Sequence, residues 1–192
     1  MSKTRLESFS DGVLAIILTI TVLEIKVPHG IELKNILPLW GIFLSYILSF
    51  ISIIIYWNNN HHHLFKIVEQ IDDRVMWANA NSLFWLSLLP FVSEWMGENQ
   101  FAPIPVLFYA VISFMTGLSF TFLTACITKI HHKDTIIKIT KRDNRKGKIS
   151  LILYFLAICV AYPFPMIACG IFVIVAIIWL FPSRKIEEEV GK

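Results

Sequence analysis

The stretch "RLESFSDGVLAIILTITVLEI", residues 5–25, sets a cation and a carboxylate, Arg5 and Asp11, at the entrance of an otherwise apolar helix. A charge so near hydrocarbon is costly and ordinarily faces the protein interior with a partner. Two roles fit Asp11: a titrating gate or ion ligand, or a clamp between helices. On a helical wheel with Ile16 at zero, Phe9, Gly12, Thr19, Ile20 and Leu23 fall within about 60°, whereas Asp11 lies about 140° away. That phase favours the clamp. Partners within reach are the histidines of "NNNHHH" (58–63), Asn79 and Asn81, while Arg5 has Glu7, Asp72 and Asp73. The stripe Ile16, Ile20 and Leu23, with Thr19 beside it, is by pattern alone more often lipid-facing or core than pore-lining.

Other residues capable of chemistry lead less far. His61, His62 and His63 are consecutive, so on a helix they diverge by about 100° each and cannot all meet one ion. No HExxH spacing accompanies them, and no metal site is expected. His131 and His132 lie in a charged stretch and read as solvated. Cys126, Cys159 and Cys169 are scattered through apolar segments without a CxxC pair, which suits buried free thiols. Ser45, Ser49 and Ser52, and likewise Gly117, Thr121, Thr124 and Thr128, form small-residue stripes suited to close helix packing. A polar translocation path is the lesser reading of them. There is no Ser-His-Asp arrangement, Walker loop or dinucleotide fingerprint, so neither an enzyme nor a cofactor is expected.

The elements that must position these residues follow from composition. Of 192 residues, 56 % are hydrophobic and only 16 % charged, with a mean hydropathy of +0.65. That defines an all-α integral membrane protein rather than a soluble domain. The first apolar stretch is too long for a cleavable signal peptide and has no small-residue cleavage site. A span needs about 20 apolar residues. Six fit, at approximately 4–25, 36–57, 75–96, 103–127, 149–162 and 165–181, in one domain covering 1–192. The uncharged run 149–183 would be over about 50 Å as one helix, and "YPFP" (162–165) divides it into a short hairpin. Trp40, Trp57, Trp77, Trp95 and Trp179 lie near span ends, as in an interfacial belt.

Charge sets the sidedness. With six spans, fifteen of the seventeen Lys and Arg residues fall on the side of both termini, and only Lys26 and Lys34 on the other. Both termini are therefore expected in the cytoplasm, with the protein multi-pass in the cell (inner) membrane. The basic stretch "KIHHKDTIIKITKRDNRKGK" (129–148) is read as a loop that holds this side in and touches anionic lipid, not as a nucleic-acid patch.

"RLESFSD" at the start of the first span resembles the Arg-x-x-x-Phe-Ser-Asp signature of the transmembrane protein 175 family of potassium channels. The likeness continues through "GVLAIILTITVLEI", "YWNNNHHHLF" (56–65) and "ANSLFWLSLLPF" (80–91). The resemblance implies a single six-span unit of the bacterial type, assembled as a homotetramer, with helix 1 of each subunit lining a central pore. It implies a principal constriction at Ile16, a pore threonine at Thr19 and further aliphatic layers at Ile20 and Leu23. It also implies a packing hub of Arg5, Phe9, Ser10 and Asp11, met by one or more of His61, His62 and His63. The TVGYG loop of ordinary potassium channels is absent. The function expected is a cation channel permeable to K⁺ and other monovalent cations, with hydrophobic rings as gate and modest selectivity filter. A secondary transporter or a proton-conducting channel of the same fold is the alternative. The former would call for paired discontinuous helices and an inverted repeat, and neither is seen.

Overall fold

The computed structural model describes residues 2–29, 31–57, 71–130 and 134–180. Among these are seven α-helices and no strand. Helix α1 (Lys3–Leu23) begins where the Ser2 side chain accepts a bond from the Arg5 N–H. Two short 3₁₀ turns, Leu33–Asn35 and Leu37–Leu39, lead into α2 (Trp40–Ile55), which closes in a π turn at Tyr56 and Trp57. Helices α3 (Asp73–Ser87) and α4 (Leu89–Glu98) form one bent column. Pro90 has no N–H to offer and its ring crowds the carbonyl four residues back, so the helix breaks at Leu88. Helix α5 (Pro103–Ile130) follows, then α6 (Asp134–Ala161) and α7 (Pro165–Leu180).

Four segments are long and apolar enough to cross a membrane: Lys3–Leu23, Leu33–Ile55, Asp73–Glu98 and Pro103–Lys129. The apolar half of α6 and the 16 residues of α7 complete six columns. The turn between these last two falls at 162–164, inside the Tyr-Pro-Phe-Pro sequence. The stretch 134–148 differs from the loop that its charges suggest, since it is the first half of α6. Lysine and arginine are good helix formers. Their density marks which side of the membrane they occupy, not the absence of a helix.

The core lies between α2, the α3–α4 column, α5 and the α6–α7 hairpin. Ile53, Leu86, Met96, Val106 and Tyr109 are all essentially inaccessible. The Tyr109 and Phe172 rings, on α5 and α7, are 4.8 Å apart. Helices α2 and α4 cross at unusually short range because glycines meet there. A Cβ on Gly97 would sit 2.4 Å from Ser45 Oγ and 2.7 Å from Ile42 Cα, and one on Gly41 would sit 2.7 Å from the Gly97 carbonyl oxygen. The Ser93 hydroxyl donates across the same seam to the Ser45 carbonyl at 3.1 Å. Small residues thus let two backbones approach and hydrogen-bond where hydrophobic drive between helices is weak.

Gly97→Ala should therefore lower stability by about 1–3 kcal/mol, the usual range for overpacking. Gly170→Ala, whose Cβ would meet nothing within 4 Å, should be neutral or stabilising. Thermal unfolding of the detergent-solubilised protein compares the two directly.

Candidate functional site

Helix α1 has two unlike edges. Leu6, Ser10, Leu14, Ile17 and Thr21, at steps of four and three residues, are buried against α2, α3 and α4. On the other edge Ile16 is 60 % exposed and Leu23 79 %, with Phe9, Thr19 and Ile20 also exposed. The residues implied as pore-lining thus share one face, turned away from their own subunit. Thr19 Oγ1 donates to the Ile16 carbonyl at 2.9 Å. With its only proton so engaged, that hydroxyl presents acceptor lone pairs to the outside.

The buried edge carries the polar attachment. Ser10 Oγ donates to the Leu6 carbonyl at 2.9 Å and accepts from Asn79 Nδ2 of α3 at 2.8 Å, with both residues fully buried. Asp11 is exposed, and its Oδ1 accepts from Trp57 Nε1 at the end of α2, 3.0 Å away. Asn79 is therefore the partner of Ser10 rather than of Asp11, and Asn81 is exposed. The register explains this, because Ser10 and not Asp11 lies in phase with Leu6, Leu14 and Ile17.

Trp57, which pattern assigns to the interfacial belt, meets the carboxylate of the signature. Its signal was its place one residue beyond Tyr56, at the level of the signature, with a donor-only indole N–H. The Asp72 carboxylate, one of the acids within reach of Arg5, instead accepts from the Val75 N–H and caps α3. Arg5 and Asp11 make no ion pair with each other, and Phe9 is 56 % exposed on the Ile16 side. His61, His62 and His63 lie outside the described residues. Among the described residues no group of His, Cys, Asp and Glu is gathered as a metal would need.

The far end of α1 is tied as well. Glu24 caps the helix and is half-buried, and Lys26 forms an ion pair with Glu98 at the end of α4. The Glu98 carboxylate, through its hydrogen bond and then its charge, holds the Lys26 ammonium above its ordinary pKa.

Together these features define an all-α, multi-span membrane protein whose first helix is locked to its own bundle along one edge and offers an aliphatic edge outward. Comparison with known proteins gives the class its family. The family described as Endosomal/lysosomal potassium channel TMEM175 matches residues 5–90, from the Arg5 signature through α3 to Pro90. A potassium channel of Chryseobacterium sp. (strain P1-3) is 44 % identical over 189 residues, covering 98 % of each chain. The crystal structure of a lysosomal potassium-selective TMEM175 homologue from Chamaesiphon minutus superposes with a TM-score of 0.79 at 28 % identity, over 93 % of this chain and 96 % of that one. An endosomal/lysosomal proton channel TMEM175 of Gallus gallus is 30 % identical over 71 % of this chain and 30 % of its own length. The chain belongs to the TMEM175 family, and it is an ion channel rather than an enzyme.

Removing the α1–α3 attachment should cost stability. Asn79→Ala leaves Ser10 buried beside a void and should destabilise by about 1–3 kcal/mol. Asn81→Ala, at an exposed position two residues on, should change little, and thermal unfolding under matched conditions reads the difference.

Proposed function

We propose that this chain is the subunit of a homotetrameric, K⁺-permeable cation channel whose axis is lined by α1. The observation that carries this is the outward aliphatic edge of α1, opposed to a buried edge that cannot turn. Symmetry turns each outward residue into a ring of four. Rings of Ile16, Ile20 and Leu23 offer no oxygen to a cation. They form a narrow, poorly wetted barrier that gates by dewetting. A weakly hydrated K⁺ loses less than Na⁺ in crossing such a barrier, so selectivity is real but modest. The Thr19 ring supplies acceptors between these layers, to the ion or to the water it keeps. Within the signature Arg5, Phe9, Ser10 and Asp11, it is Ser10 and Asp11 that hold the lining helix in register, through Asn79 and Trp57, with His61, His62 and His63 close in sequence to Trp57.

The channel lies in the inner membrane, surrounded by lipid, with both termini in the cytoplasm as the basic residues direct. It needs no resident metal or cofactor. Glu24, at the outer end of α1, raises local cation concentration there. Proton conduction along the same axis is the second reading, favoured by the name borne by the Gallus gallus relative.

Purified protein in liposomes tests both readings, with K⁺, Na⁺ and H⁺ flux measured separately. Ile16→Asn or Ile16→Ala should wet or widen the ring and raise Na⁺ flux severalfold. An unchanged K⁺/Na⁺ preference would remove Ile16 from the constriction. Asp11→Ala should reduce the tetramer fraction on size-exclusion chromatography more than it alters ion preference, and the reverse pattern would make Asp11 an ion-handling residue.

A further inference from the structure

Helix packing accounts for only part of the small-residue stripes on α2 and α5. Ser52 of the one and Gly117 and Thr121 of the other border an internal cavity of about 90 Å³, to which α6 adds Gly147, Ser150 and Tyr154. A Cβ added to Gly147 would meet nothing within 4 Å, so the cavity reaches the α6 backbone there. Leu86, Phe120 and Val175 supply much of its apolar surface. Among the described residues no charged side chain lines it.

The hydroxyls around this space are unevenly used. Those of Ser52, Thr116 and Thr121 each donate to the carbonyl four residues back. Ser113 is different: it is 7 % exposed, lines the cavity, and has no hydrogen-bond partner among the described residues. Ser150, 6 % exposed, accepts from Trp179 Nε1 at 2.8 Å, and its own proton meets no acceptor among the described residues. The Tyr154 hydroxyl is without a partner on the same terms. Helices α5 and α6 run antiparallel with Gly117 facing Leu151. That register puts Ser113 level with Tyr154, and Ser150 one turn further along α6. Native interiors satisfy nearly all their buried polar groups, and here three hydroxyls converge on one space.

We propose that this cavity binds a small neutral alcohol. The lining asks for a molecule with an oxygen at one end, for the hydroxyls of Ser113, Ser150 and Tyr154, and hydrocarbon at the other. A charged ligand would find no counter-ion and would lose its hydration. Size sets the class, since about 90 Å³ equals the share of about three waters in the liquid. Water alone would meet the hydroxyls yet leave Leu86, Phe120 and Val175 wetted. A bound alcohol bridges α5 to α6 within one subunit, so the site does not depend on the pore or on how many subunits line it.

Fluorine NMR of the detergent-solubilised wild-type assembly, titrated with trifluoroethanol, tests the proposal. A saturable bound component should appear above the linear uptake by micelles. Gly147→Leu should fill the cavity and abolish that component. Gly170→Leu, at an exposed position of α7 where a Cβ meets nothing within 4 Å, should leave it unchanged. Ser113→Ala removes no existing bond, so it should fold, and it should weaken binding about two- to tenfold, the worth of one hydrogen bond. Trifluoroacetate, similar in shape but charged, should show no saturable component. Linear uptake only in the wild type, survival of the bound component in a folded Gly147→Leu, unchanged affinity in Ser113→Ala, or equal binding of trifluoroacetate would overturn the site. If Gly147→Leu does not fold, Ser113→Ala and trifluoroacetate decide the matter.

Discussion

A hydrogen bond between Ser10 and Asn79, buried where water cannot compete, sets the rotation of α1. Turning the helix would strand an amide and a hydroxyl in apolar surroundings, a penalty of about 1–3 kcal/mol for each unsatisfied group. Leu6, Leu14 and Ile17 agree with that rotation, because they bury on the same edge. The outward direction of Ile16, Thr19, Ile20 and Leu23 is thus a remainder. They face away because the opposite edge has no alternative. The Asp11–Trp57 bond at one end and the Lys26–Glu98 pair at the other anchor the same helix to α2 and α4.

Those anchors work only if the bundle behind them is rigid. The α2–α4 seam supplies this, since Gly41 and Gly97 leave no slack between backbones and Ser93 crosses to the Ser45 carbonyl. Both helices of this seam also touch α1. In the proposed assembly the moving part of a gate therefore lies in the aliphatic side chains and in the contacts between subunits, and the α2–α4 frame stays fixed. Thr19 fits such a pore in a particular way. Its hydroxyl accepts but does not donate outward, so it assists a cation and gives an anion nothing to hold.

Much of this was legible in the residues. Hydropathy and the lopsided lysines fix the membrane class, and the wheel separates Ile16, Thr19, Ile20 and Leu23 from the residues behind them. The signature at Arg5 to Asp11 carries the family. What pattern could not supply was which polar group meets which. Ser10 and Asp11 are neighbours 100° apart, and only the packing of α3 decides that the neutral hydroxyl is buried and the carboxylate left at the edge. Trp57 suits a headgroup belt and a carboxylate partner equally well until α1 is beside it. The stretch 134–148 reads as a loop because charge density reports solvent, yet a helix continues into solvent when its residues favour it, as α6 does.

Tyr162 and Phe164 stand on either side of Pro163 in the turn that joins α6 to α7, and both are exposed. A tyrosine at a membrane–water boundary keeps its ring towards hydrocarbon and its hydroxyl towards water, which fixes depth. Pro163 and Pro165, with no N–H to offer, keep that turn from being drawn into a continuous helix. The hairpin is thus moored at one level by its aromatic tip, and any change in bilayer thickness has to be absorbed at its opposite end.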